Sequence, residues 1–143
     1  MTPISIFWFR RDLRLADNAG LYHALTGPNP VLPIFIFDRH ILDKLEDQDD
    51  PRVQFLHQLV HRLNDQLQAL GSTIEVHYGH PENIWLELIK TYPIKAVYTN
   101  KDWEPYAHER DQKVNDLLAK EGIEFHAFKD HVIFEGHEVL KND

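Results

Sequence analysis

The chain has 143 residues, 43% hydrophobic and 27% charged, with a net charge of −8 and no cysteine. That composition fits one globular domain and excludes disulfides, thiolate metal sites and thiol nucleophiles. The acidic balance argues against this domain as a main nucleic-acid contact surface, because phosphate binding draws on lysine and arginine.

No apolar run approaches the ~20 residues needed to cross a bilayer. The amino terminus lacks the basic, apolar and small-residue pattern of a signal peptide. A cytoplasmic location is the resulting expectation.

The first predicted strand is Ile4 to Phe9, and it runs directly into Arg10, Arg11, Asp12, Leu13 and Arg14. A short helix follows, with Asp17 as the expected N-cap and Leu21, Ala24 and Leu25 apolar at helical spacing. Thr26 to Pro30 reads as a loop, and Val31 to Phe37 as a second strand whose near-continuous apolar run fits a parallel strand covered on both faces. The polar stretch from Asp38 to Arg52, with its acidic run from Glu46 to Asp50, reads as a solvated loop.

The second helix is expected from Pro51 to Leu70, with Val53, Leu56, Val60, Leu63, Leu67 and Leu70 forming one apolar stripe and Gly71 the stop. Further strands are expected at Thr73–Tyr78, Ala96–Thr99 and Ile123–Phe128, with helices at Glu82–Tyr92 and Glu104–Glu121. The tail from Val132 to Leu140 could turn as a hairpin at Glu135-Gly136.

Strands alternating with helices predict an α/β fold: a five-stranded parallel doubly wound sheet, Rossmann-like, in the order 3-2-1-4-5 with helices on both faces. Ligands in such sheets bind beyond the carboxyl ends of the strands, near the switch point between strands one and four. That rule brings the ends of strands one, two and four to one rim, with Arg10, Arg11 and Asp12, then Phe37 to His40, then Asn100 to Glu104.

Several chemistries are not supported. There is no GxGxxG after strand one, no P-loop and no nucleophile elbow. His57 and His61 share a helical face, but Gln58 stands where a zincin needs Glu, so no metal site is expected. His77 and His80 read as packing or capping residues. Trp103 next to Glu104 fits either a stacking wall for a flat ring or a cover over the end of the core. The arginines after strand one fit either local pairing with Asp12 and Asp17, a weak stabilising device at a surface, or a docking or ligand role.

The segment WFRRDLRLADNAGLYHAL closely resembles the amino-terminal signature of the photolyase/cryptochrome family. IFIFD, RVQFLHQLVHRL, GHPENIWLEL and TNKDWEPYAHERD resemble further segments of that family in the same order, with Glu104 and the Arg110-Asp111 pair in register. The resemblance spans essentially the whole chain. It implies an α/β antenna domain over residues 1–130 and a tail, 131–143, leading toward a helical FAD-binding domain outside this sequence.

On this resemblance, the whole protein is a light-driven deoxyribodipyrimidine photolyase, a carbon-carbon lyase in which reduced FAD splits pyrimidine dimers in DNA. The α/β segment houses an antenna chromophore and is not itself catalytic. DNA binds through the other domain, and the strand-one arginines dock against that domain. The candidate chromophore residues are Arg10, Arg11, Phe37, Asp38, His40, Asp102, Trp103 and Glu104.

Folate-binding relatives carry an Asn-Glu pair where this chain has Tyr106 and Ala107, which places flavin mononucleotide or a deazaflavin ahead of a reduced folate as antenna. The alternatives are a cryptochrome blue-light receptor and a free-standing nucleotide-binding, universal-stress-like module.

Overall fold

The computed structural model describes residues 2–10, 12–43, 51–102 and 104–129. Strands β1 (Ile4–Phe9), β2 (Val31–Asp38), β3 (Glu75–Gly79), β4 (Ile94–Asn100) and β5 (Glu124–Phe128) alternate with helices α1 (Ala19–Leu25), α2 (Arg39–Leu42), α3 (Pro51–Ala69), α4 (Pro81–Thr91) and α5 (Pro105–Lys120). The strands form one parallel sheet in the order β3-β2-β1-β4-β5, as expected.

The near-continuous apolar strands follow from burial on both faces. Side chains alternate across a strand. Ile6 and Trp8 of β1 therefore join Ile34 and Ile36 of β2 under α4 and α5, with Trp85, Leu88, Val114 and Leu118. Phe7 and Phe9 join Phe35 and Phe37 on the opposite face under α1 and α3, with Leu21, Val60, Leu63 and Leu67.

Several local expectations change. Asn18, not Asp17, caps α1, its side chain accepting from the Leu21 N–H, while Asp17 takes a left-handed φ of 50°. The stretch after β2 is not all loop, because the Asp38 side chain accepts from the His40 N–H and starts the one-turn helix α2. Helix α3 ends at Ala69, which leaves Leu70 75% exposed, and only Val60, Leu63 and Leu67 of its stripe are fully buried. In the first turns of α3, Val53 and Leu56 are half-buried. Strand β4 is longer than its apolar core suggests, because edge residues Ile94 and Asn100 join the ladder. The expected tail hairpin lies outside the described residues.

Asn100 at the end of β4 organises the start of α1. Its Oδ1 accepts the Gly20 N–H at 2.7 Å, and its Nδ2 donates to Asn18 Oδ1 at 2.7 Å and to Asp12 Oδ2 at 2.5 Å. Gly20 permits this approach: a Cβ there would lie 2.7 Å from Asn100 Oδ1 and 2.9 Å from the Phe7 ring.

Candidate functional site

The carboxyl ends of β1 and β2 open into a partly enclosed cavity of about 540 Å³. Its apolar wall is built from Phe35 and Phe37 of β2, Ile41 and Leu42 of α2, and Val53, Phe55 and Leu56 of α3. Trp8 and Pro81 complete that wall, and Arg10, Arg52, Asp38, Asp102 and Arg110 supply the charged groups. The first turns of α3 thus supply one wall of the cavity.

Arg10 and Arg110 meet at one end. Both guanidiniums sit over the Trp8 indole, with Cζ to ring-centre distances of 4.9 and 5.1 Å. Asp111 bridges them, its Oδ1 accepting from Arg10 Nη1 at 2.5 Å and from Arg110 Nε at 3.2 Å. Arg10 Nη2 also donates to the Asn100 carbonyl. Arg110 Nη1 lies 3.8 Å from Asp38 Oδ2, and Nη2 lies 3.8 Å from Asp102 Oδ2. Arg110 Nη2 is buried and has no hydrogen-bond partner among the described residues.

Both oxygens of Asp38 accept a hydrogen bond from the protein. Its Oδ1 accepts from the His40 N–H at 2.9 Å and its Oδ2 from the Tyr106 hydroxyl at 2.8 Å. Burial, and then this bond to a carboxylate, push the Tyr106 hydroxyl above the ordinary tyrosine range. Beside it, the His40 ring packs 4.2 Å from the His80 ring, and His40 Nε2 lies 3.4 Å from Glu82 Oε1. Burial raises the Glu82 carboxyl, but its backbone hydrogen bond and His40 outweigh that and hold it below the usual carboxylate value.

Of the expected residues, Arg10, Phe37, Asp38 and Asp102 line the cavity together. His40 and Glu104 are not among its lining residues: His40 turns to His80 and Glu82, and Glu104 sits at the N-cap position of α5, donating its N–H to Asp102 Oδ1 at 3.2 Å. Arg11 and Trp103 lie outside the described residues. The Arg10 guanidinium is largely buried, with the residue 8% exposed, and is tied to Asp111 and the Asn100 carbonyl. Arg14 bonds the carbonyls of Ala16 and Asp17 rather than the expected carboxylates.

Trp8, Arg110, Ile41, Leu42 and Phe55 were missed. An available signal was the apolar stripe of α3, which starts with Val53 and Leu56, ahead of the buried part that begins at Val60. Among the described residues no cluster of His, Asp or Glu suits a metal ion, and no helix is long and apolar enough to cross a membrane.

The DNA photolyase family model matches residues 5–143. The chain is 37% identical over 131 residues to an uncharacterized 31.6 kDa protein of Synechococcus sp. (strain PCC 6716), covering 92% of this chain and 46% of that protein. It is 33% identical over 135 residues to the deoxyribodipyrimidine photo-lyase of Synechococcus sp. (strain PCC 6301), covering 94% of this chain and 28% of that one.

Among solved structures, an archaeal photolyase from Sulfolobus tokodaii with two FAD molecules matches at a TM-score of 0.77 and 34% identity, over 90% of this chain and 30% of that chain. A cryptochrome from Synechocystis sp. PCC6803 matches at 0.81 and 26% identity, over 89% of this chain and 27% of that chain. The chain thus spans less than half the length of each of these proteins. The ordered sheet, the strand-one signature and a family match over nearly every residue place this chain in the DNA photolyase family, as its amino-terminal α/β domain.

Proposed function

We propose that this chain is the antenna-bearing α/β domain of a light-driven deoxyribodipyrimidine photolyase, and that the cavity at the ends of β1 and β2 takes a flat light-harvesting chromophore. The observation that carries the reading is the cavity itself. Its volume of about 540 Å³ falls in the range of small-molecule sites, and its walls are apolar with few charged groups, as such sites require.

Phe37, Ile41, Leu42, Phe55 and Leu56 would flank the rings. Tyr106 and Ala107 take the positions where folate-binding relatives carry Asn and Glu. Ala107 is buried and Tyr106 is engaged by Asp38, so neither offers a folate the side chains of that pair. A flavin mononucleotide, FAD or deazaflavin antenna is favoured. The two FAD molecules of the Sulfolobus tokodaii photolyase, described as implying a novel light-harvesting cofactor, support a flavin.

When bound, the antenna would absorb light and pass excitation energy to FAD in a helical domain of the same protein, through which DNA would bind. The acidic charge of this domain suits a role away from the DNA surface.

Titration of the purified protein with flavin mononucleotide, FAD, a deazaflavin and a reduced folate tests the reading by chromophore fluorescence. Saturable binding of a flavin-type compound at one per chain is expected. Binding of none of the four at about 100 μM, a weak-affinity threshold, would overturn it. A cryptochrome is the second reading, because cryptochromes stand beside photolyases among the relatives and solved structures this chain resembles. Light-dependent repair of dimer-containing DNA by the whole protein separates the two.

A further inference from the structure

We propose that an exposed apolar patch on α1 and β5 is the docking surface for the apolar segment of this same chain that follows β5, residues 132–140. The contact is independent of what the cavity at the ends of β1 and β2 holds.

The patch is a joined surface. On the sheet face that carries Tyr98, His126 and Phe128, the helix packed against β5 is α1, which is only seven residues long. Those three side chains are therefore half-buried rather than covered. The His23 ring of α1 stacks on the Phe128 ring at 4.2 Å, with 8° between the planes, and Tyr22 stands 5.6 Å from His23. Tyr98 and His126, 5.0 Å apart, extend the same surface. Tyr22 is 64% exposed, and Leu25, three residues on and so on the same side of the helix, is 63% exposed. Apolar side chains exposed singly are ordinary, whereas a contiguous patch marks a contact surface.

The chain itself supplies the occupant. Strand β5 ends on this patch, at Phe128, and the sequence continues to VIFEGHEVL, residues 132–140. Val132, Ile133, Phe134, Val139 and Leu140 are apolar, and burying them is favourable. Phe134 follows Phe128 by six residues, a reach of about 20 Å when extended. His23 touches Phe128, so Tyr22 and Leu25 fall inside that reach. A segment tethered this close meets its surface at high effective concentration, an advantage that a separate partner lacks. A second copy of the chain would also bring its own net charge of −8 against the first.

The chain has no cysteine, so introduced pairs report cleanly. The 143-residue protein carrying Leu25→Cys and Phe134→Cys is oxidised under mild conditions, and disulfide formation is followed by mass spectrometry. The control carries Lys101→Cys and Phe134→Cys. The Lys101 N–H donates to the Phe128 carbonyl at 2.7 Å, so residue 101 stands beside the start of the same segment but off the patch. The Leu25 pair is expected to close within one molecule at least tenfold faster than the control. Equal rates, or faster closure at residue 101, would show that the segment does not prefer the patch and would overturn the proposal. Disulfide-linked dimers in place of the intramolecular product would assign the patch to a second copy and overturn it as well.

Urea unfolding gives a reading that needs no cysteine. Tyr22→Ala with Leu25→Ala alters the patch, and Ile133→Ser with Phe134→Ser alters the segment. If the two surfaces meet, all four substitutions together lower the midpoint by less than the two pairs do when added, because each pair removes the same contact. Additive losses would overturn the proposal.

Discussion

Arg10, at the end of the first strand, donates from Nη1 to Asp111 Oδ1 at 2.5 Å, across 101 residues of chain. The same carboxylate oxygen receives Arg110 Nε, so one aspartate on α5 holds two guanidiniums over the Trp8 ring. The cluster of arginines after β1 is therefore explained in part by structure: Arg10 fastens β1 to β4 and α5.

Loss of this bridge is the first expected outcome. Asp111→Ala leaves two guanidiniums, each with about 6% of its side chain exposed, without their shared acceptor. Breaking a buried ion pair by removing one partner costs about 3–5 kcal/mol, and partial exposure of Asp111 places this case at the lower end. Urea unfolding followed by far-ultraviolet circular dichroism measures it. A change under about 1 kcal/mol would show that water replaces the carboxylate.

Gly20 offers a separate test of the α1–β4 contact. Adding a Cβ 2.7 Å from Asn100 Oδ1 and 2.9 Å from Phe7 forces one of them to move. Gly20→Ala should lower stability by about 1–3 kcal/mol despite the better helix propensity of alanine. Gly71→Ala has open space around its Cβ and meets only the strain of a φ of 84°. Comparing the two separates crowding from backbone conformation.

Tyr106 should be among the last of the chain's five tyrosines to ionise. Its folded value is raised above the ordinary 10.0 by burial and by the bond to Asp38. The stability from that raised value is present in full below about pH 10 and is lost as pH rises through the folded value. A spectrophotometric tyrosinate titration should show a late-ionising component that Tyr106→Phe removes. If the late component stays unchanged in that variant, the hydroxyl is not held by Asp38.

Glu82 behaves in the opposite sense. Its folded value lies below the ordinary 4.5, because its backbone hydrogen bond and His40 outweigh the effect of burial. Its contribution is present above about pH 4.5 and fades as pH falls through the lower folded value. Thermal melts of wild type and Glu82→Gln should therefore differ at pH 6 and converge toward pH 3. A gap that stays constant across that range would assign the effect to packing.

Phe55 is 59% exposed yet lines the cavity. Phe55→Ala should change stability by about 0.5 kcal/mol or less, as exposed substitutions do. Flavin affinity should fall by about 1 kcal/mol, the scale of one aromatic contact. A flavin titration and a melt on the same sample read both quantities.

The alternation of apolar strands and amphipathic helices was sufficient for the sheet order, since parallel strands with right-handed crossovers leave few arrangements. The same rule brought Arg10, Phe37, Asp38 and Asp102 to one rim, because strand ends are local in sequence. What the sequence could not decide was which side chains leave that rim. His40 turned to His80 and Glu82, and Arg10 was drawn under α5 by Asp111, partners 40 or more residues away.

The burial of Arg110 Nη2 with no hydrogen-bond partner among the described residues also arises only in three dimensions. Periodicity reports which face of an element is apolar, but not where a neighbouring helix ends or which charge it meets. The sequence by itself determined the layered fold and the end of the sheet that holds the site. Tertiary packing decided the cavity, because its walls come from α2, α3 and α5, whose positions are set by contacts distant in the chain.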